Sequence, residues 1–497
     1  MRPRLMFPDA DVPPVVPESA TLRELVDDLA LEELWAGMAR GDGRLHMIAR
    51  AALLAPLTDP AAITYRQEVL GDCLRNESAV RALYELAGRA LAEEQKIIRG
   101  GASPEARLNG SLRALETFCG HLRRLSAFAA ANADGFGSAG FARLFRMIRD
   151  RLDGKYLTDV EALLERIDFE QGIIATARLG ESGRGVDFRL QEPPVKGRGS
   201  STQRRLKKAG LSHSIWGRHD EDWRMLAAFR GRVLEVIADA ADESAGNVRG
   251  FFAAMRDELG FYVGCLNLAG TLSRSGLPIC LPRPCPPGER AFTARGLYEP
   301  GLALRRGGAV VANDVAADGI GLVVITGANR GGKTTFLRSV GLAHLMMQSG
   351  MFVTARSLAA SVVGGVFTHF KREADASMTS GRLDGELARM SAVVDVLRTG
   401  DLVLCNESFM STNEREGSDI STEIVSALTD HGIRVMFVTH LHDFAQRMRT
   451  ARPARSLFLT AARGPDGERS FRLAPGAPSP TAHAADLYAR IFGERLD

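Results

Sequence analysis

Gly321-Leu322-Val323-Val324-Ile325-Thr326-Gly327-Ala328-Asn329-Arg330-Gly331-Gly332-Lys333-Thr334-Thr335-Phe336 is the stretch on which the fold turns. Its apolar run over 321–326 suits a parallel strand covered by helices on both sides. A helical pattern follows from Thr335 to about Ser349. Between them, residues 327–334 fit G-x-x-x-x-G-K-[ST]. In such a loop glycines let backbone N–H groups curl round an anion, at the positive end of the following helix. On this reading Gly327, Ala328, Asn329, Arg330, Gly331, Gly332, Lys333, Thr334 and Thr335 cradle the phosphates of a nucleotide. Lys333 reaches the outer phosphates, and the Thr334 hydroxyl ligates Mg²⁺.

Two further apolar runs lie downstream, Leu402-Val403-Leu404-Cys405 and Val435-Met436-Phe437-Val438-Thr439. The first ends in Asn406-Glu407, which places Glu407 to polarise an attacking water. The preceding position commonly carries an Asp that binds the Mg²⁺ shell, and here it is Asn406. An amide oxygen accepts a hydrogen bond from a metal-bound water but brings no negative charge, so slow hydrolysis or weakly held Mg²⁺ is expected. The second run ends in Thr439-His440. A histidine just past a strand end beside such a loop can sense the terminal phosphate or position water. From residue 291 to 497 strand-like runs alternate with helices, which predicts an α/β P-loop NTPase domain with a mainly parallel sheet.

Residues 1–290 read as mostly helical. Leu22, Leu25, Val26, Leu29, Leu31 and Leu34 recur at helical spacing, and similar stretches cover about Arg107 to Ala131, Ala142 to Asp153 and Thr158 to Phe169. From Ile173 to Leu190 alternation around a Gly-rich turn predicts a hairpin. Residues 193–214 are irregular and carry Lys196, Arg198, Arg204, Arg205, Lys207 and Lys208 with no acidic residue among them. They suit either phosphate contacts or a solvated loop. Each phosphate neutralised on duplex would steepen the fall of log affinity with log salt by about 0.9. Trp216 and Trp223 follow, where they could stack on bases. One helix is expected from Asp222 to Ala241 and another carrying Phe251, Phe252 and Tyr262 into the core.

The chain of 497 residues suggests two to four domains, and its 45% hydrophobic and 25% charged composition excludes wholesale disorder. No apolar run of about 18 residues and no signal-like N-terminus is found, which predicts a cytoplasmic, soluble protein without membrane partners. A net charge of +3 neither demands nor forbids nucleic acid. The six cysteines are scattered and lack zinc spacing, so reduced thiols are expected.

Four segments in order resemble the MutS family of DNA mismatch-repair ATPases. Residues 326–338 resemble its phosphate loop, including Asn329 and the double glycine. Leu402 to Ser408, then Ser411 to Gly417, resemble its second acidic motif and the loop after it. Val438-Thr439-His440 resembles its histidine switch, and Val311-Ala312-Asn313-Asp314-Val315 the segment that packs beside the adenine. Residues 1–290 are similar in style to the family's core and lever helices, with the DNA clamp reduced to about 170–220. The resemblance is nearest to short bacterial MutS-related proteins, and no Phe-x-Glu wedge motif for mismatch reading is found.

The resemblance implies ATP and Mg²⁺ as cofactors, with Glu407, His440 and Asn329 catalytic, Val311 and Asn313 beside the nucleotide, and Thr334 and Asn406 on Mg²⁺, the latter through water. It implies a homodimer through the ATPase domain, with Ser380 or Arg382 reaching the partner's nucleotide. It further implies nucleotide-dependent binding of mismatched, branched or damaged DNA in repair or recombination. An ATP-regulated scaffold or signalling protein that kept the switch without DNA is the alternative. A kinase-like enzyme would need an acceptor lid inserted after the loop, and none is found.

Overall fold

A computed structural model of the chain describes residues 1–10, 19–97, 103–166, 175–179, 185–190, 220–372, 381–463 and 469–478. They form two compact units, one of residues 1–3, 78–136 and 142–257, the other of 4–77, 137–141 and 258–497. This division differs from a single boundary at residue 290, because residues 4–77 cluster with the C-terminal half.

Among the described residues, the first unit is helical apart from one antiparallel strand pair. Ser103 caps the helix Pro104–Asn132 by accepting from the Ala106 N–H, and Pro104 stands at the first helical position, where no N–H is needed. Leu108, Leu112 and Cys119 of this helix pack with Leu164, Leu234, Ala238 and Ala241. Phe118 stacks on Phe252 with ring centroids 5.7 Å apart. Burying one such aromatic contributes about 1.5–3 kcal/mol. The strands β1 (Ala175–Leu179) and β2 (Gly185–Leu190) pair antiparallel, as the alternation predicts. The basic segment 193–214 and Trp216 lie outside the described residues, and Trp223 is described only as part of a helix.

The two helices expected from Asp222 onward are a single helix, Asp220–Arg274. Polar residues and two glycines at 242–250 suggest a break, yet the buried stripe Leu234, Ala238, Ala241, Ala245, Phe252, Met255 and Leu259 runs through it. Alanines carry that stripe where large side chains are missing, and burial outweighs the cost of about 1 kcal/mol per helical glycine.

In the second unit a six-stranded sheet has the order β12-β11-β6-β10-β9-β8, from β6 (Leu322–Gly327), β8 (Val366–Phe370), β9 (Leu402–Asn406), β10 (Arg434–Val438), β11 (Ser456–Arg463) and β12 (Arg469–Pro475). All neighbours are parallel except the edge pair β11–β12. Alternate residues serve opposite faces. Leu322, Val324, Val403, Cys405, Val435 and Phe437 pack with Val425 and Leu428 of the helix Glu414–Asp430 and with Phe444 and Met448 of the helix His442–Ala451. The helix Lys333–Gln348 packs against β9 and β10, close enough that a Cβ on Gly341 would lie 2.7 Å from Leu404 Cδ1. Both faces are thus covered, which is why these strands carry no polar face.

A smaller sheet has the order β3-β7-β4-β5, from β3 (Arg283–Cys285), β4 (Phe292–Leu297), β5 (Asn313–Ala316) and β7 (Ser357–Ser361). Residues 4–77 are tied in by Arg66, which is buried and donates to the carbonyls of Met6 and Ser349 at 2.9 and 3.1 Å. Arg338 likewise donates to the Asp28 carbonyl at 2.7 Å. Among the described residues, no helix is long and apolar enough to cross a membrane.

Candidate functional site

β6, β10 and β9 run side by side, with Val438 opposite both Ile325 and Asn406. Their carboxyl ends therefore bring the loop after Gly327, the pair Thr439-His440 and the pair Asn406-Glu407 to one sheet edge, where open α/β sheets hold ligands. The loop is shaped by glycine. Gly327 has φ +111°, and a Cβ there would lie 2.9 Å from the Ala461 backbone nitrogen of β11. Gly332 has φ +88° and opens the helix Lys333–Gln348 with no side-chain cap. The N–H groups of the first turn thus have no side-chain acceptor. Residues 329–335, Val311, Asn313 and Glu407 line a cleft of about 280 Å³ beside this turn.

Lys333 is 5% exposed, and its ammonium donates to the carbonyls of Gly327 and Ala328, each at 2.9 Å. It also stands 3.3 Å from His440 Nε2. Burial pushes its pKa down, and the Glu407 carboxylate opposes that. His440 Nε2 lies 3.4 Å from Glu407 Oε1. This hydrogen bond, with the nearby charges of His440, Lys333 and Lys371, holds Glu407 below the usual carboxylate range against the opposing effect of burial.

Glu407 follows β9 at φ +53°, and Phe409 at φ +60°. Such backbone costs about 1–3 kcal/mol per residue and persists only where its surroundings fix it. The Glu407 N–H donates to the Val438 carbonyl at 2.8 Å. Beneath the turn, the ring of Phe409 stacks on His369 at 5.2 Å. His369 Nε2 donates to the Glu386 carbonyl at 3.0 Å, and Ser408 Oγ lies 2.7 Å from Nδ1. Burial lowers the His369 pKa to about 4, so this histidine is a neutral support.

Thr334 Oγ1 donates to Asn406 Oδ1 at 2.9 Å. These are two neutral oxygens, and among the described residues no group of three His, Cys, Asp or Glu side chains is placed to hold a metal ion. The pair suits an ion that keeps several waters and takes its charged ligands from phosphate oxygens, as Mg²⁺ does.

The structure thus brings most of the predicted residues together, with Gly327 and Ala328 reached through Lys333, and Asn406 and His440 through side-chain contacts. Asn313 lines the cleft, but its amide is engaged elsewhere: Nδ2 donates to the Phe471 carbonyl at 3.3 Å, and Oδ1 accepts from the Leu473 N–H at 2.7 Å. Arg382 is exposed at the start of the helix Arg382–Val394 and does not line the cleft. Ser380, like Lys196, Arg198, Arg204, Arg205, Lys207 and Lys208, lies outside the described residues. Sequence reasoning missed Tyr298, Glu299, Arg306 and Phe471, which also line the cleft. Phe471 follows the glycine loop by about 140 residues, so only the pairing of β12 reveals its place.

The fold and site define a class: a helical region joined to an α/β domain with a parallel sheet and a glycine-rich strand–loop–helix at its carboxyl edge. Two family models match the chain, the MutS2 N-terminal domain over residues 58–275 and MutS domain V over 323–471. The DNA mismatch repair protein MutS of Chloroflexus aurantiacus is 28% identical over 207 residues, 37% of this chain and 21% of that protein. Endonuclease MutS2 of Thermus thermophilus is 33% identical over 120 residues, 24% of this chain and 16% of that protein. The DNA mismatch repair protein MutS of Natronomonas pharaonis is 32% identical over 158 residues, 31% and 18% respectively. These matches span at most 21% of the length of the relatives. The chain belongs to the MutS family.

Proposed function

We propose that the chain is an ATPase of MutS type that binds DNA in a nucleotide-dependent way and acts in DNA repair or recombination. The observation that carries this reading is the convergence of an uncapped helix start, one buried ammonium and one ionised carboxylate on a single cleft. The backbone N–H groups of residues 329–334 would hold the triphosphate, and Lys333 would exchange its contact with His440 for a terminal phosphate oxygen. Thr334 and Asn406 would hold Mg²⁺ directly and through water, and bound Mg²⁺ would neutralise charge on the phosphate oxygens. Glu407 is kept ionised, so it orients and polarises the attacking water rather than storing its proton. His440 fixes that carboxylate and, through the same nitrogen, reports whether Lys333 has moved.

Two copies would meet through the α/β domain, with Arg382 and Ser380 directed at the partner's nucleotide. Leu387 and Val394 on the same helix are exposed, which favours a partner surface there. The basic residues at 196–208 would contact DNA phosphates. The test is fluorescence anisotropy with homoduplex, mismatched and branched DNA, with ATP, ADP or neither, across a salt series. Affinity that changes with nucleotide and falls with salt is expected, with a log–log slope of about −4.5 to −5.5 if five or six phosphates are neutralised. Equal absence of binding in every arm would contradict DNA binding and favour the scaffold reading.

A further inference from the structure

The helix Arg382–Val394 buries Glu386, Met390 and Val393, at the spacing of one helical face. Met390 belongs to the apolar core of the sheet, and Leu383 packs against it. Glu386 is 4% exposed in the same stripe. A leucine would fill that place without the cost of desolvating a carboxyl group. Ser411 Oγ donates to Glu386 Oε1 at 3.1 Å, and Oε2 has no partner among the described residues. A buried carboxyl group that is only half satisfied is a poor source of stability, so its place in the stripe calls for another account.

Ser411 supplies that account. It lies in the turn that starts at Glu407 and ends at Asn413, the cap of the helix Glu414–Asp430. The left-handed backbone of Glu407 and Phe409 holds only where neighbours fix it. Backbone contacts fix the two ends: the Glu407 N–H meets the Val438 carbonyl, and Asn413 Oδ1 accepts from the Glu416 N–H at 3.0 Å. The middle is held by His369, through Phe409 and Ser408, and by Glu386, through Ser411. His369 in turn donates to the Glu386 backbone carbonyl. Both ties therefore end on Glu386, one on its main chain and one on its side chain. The turn is packed from the other side as well, since a Cβ on Gly417 would lie 2.6 Å from the Phe409 carbonyl oxygen. Neither Glu386 nor Ser411 lines the cleft.

We propose that Glu386 is a positioning residue for ATP hydrolysis: its carboxyl group holds Ser411, and through the turn 407–411 it sets where the Glu407 carboxylate stands against the attacking water. This rests on the reading of Glu407 given above. Because the pair acts on the turn and not on the cleft, it governs turnover and leaves nucleotide affinity alone.

The test measures kcat, calorimetric affinity for ATP with Mg²⁺ and the thermal midpoint in four variants. Glu386→Leu is expected to lower kcat about 10- to 100-fold, the scale of a small misplacement of a reacting group. Its ATP affinity stays within about 2-fold of native and its midpoint is native or raised, since an apolar side chain replaces a buried polar one. Ser411→Ala lowers kcat to the same degree, and the double variant falls no further, as expected of two ends of one contact. Glu386→Gln keeps an acceptor oxygen for Ser411 and restores most of the rate. Native kcat in Glu386→Leu, losses that add in the double variant, equal losses of kcat and ATP affinity, or a Gln variant as slow as the Leu variant would overturn the proposal while leaving Glu407 its role. Should Glu386→Leu fail to fold, Ser411→Ala decides alone, and native kcat in it overturns the proposal. Native protein that binds ATP without turning it over would overturn the reading of Glu407 and this proposal with it.

Discussion

At the scale of single residues the account rests on how two charged groups share one histidine nitrogen. His440 Nε2 stands within 3.4 Å of both the Lys333 ammonium and the Glu407 carboxylate. Its hydrogen bond is the largest influence lowering the Glu407 pKa. The sign of the consequence follows. With His440 present, Glu407 stays ionised to lower pH; with His440→Ala, the carboxyl returns towards its ordinary range and protonates at higher pH. The acid limb of the ATPase pH profile should therefore move upward in that variant. An acid limb that stays in place, with turnover still measurable, would show that His440 does not set the Glu407 charge. These residue types were legible in the sequence because each follows an apolar run that reads as a strand. The engagement of Asn313 with β12 was not, since nothing local to residues 311–315 indicates what lies across from them.

At the scale of elements, the close packing of the β11–β12 hairpin on the loop explains why the loop needs glycine. Gly327→Ala introduces a Cβ 2.9 Å from the Ala461 nitrogen at a backbone angle that L residues avoid. The expected cost is about 1–3 kcal/mol, with a lowered thermal midpoint and lost nucleotide affinity. A variant with native midpoint and native affinity would show that this contact is not tight. The strands β6, β9 and β10 were readable because they are buried on both faces and therefore uniformly apolar. The single helix Asp220–Arg274 was not, because between Ala241 and Phe251 its buried stripe is carried by Ala245, a side chain too small to signal burial. The edge strand β12 was missed for the opposite reason: it is bulged and half exposed, so its alternation is weak.

At the scale of the whole molecule, the units of the fold are not the halves of the sequence. Residues 4–77 pack with the C-terminal α/β domain through Arg66 and the Asp28 carbonyl, contacts whose partners are more than 280 residues apart in the chain. Sequence composition shows a helical half and an α/β half, but not which helices accompany the sheet, because packing partners far apart in sequence leave no periodic trace. The residues of the helix Asp220–Arg274 are divided between the two units, 220–257 in the first and 258–274 in the second. All of this depends on the loop at 327–334 holding a triphosphate. Calorimetric titration of ATP and Mg²⁺ into native protein and into Lys333→Ala, each checked for folding by circular dichroism, tests that claim most directly. Saturable binding by native protein that is lost or weakened at least about 100-fold in the folded variant is the predicted result, the scale of removing a buried charged hydrogen bond. Equal affinity in the two proteins would contradict it.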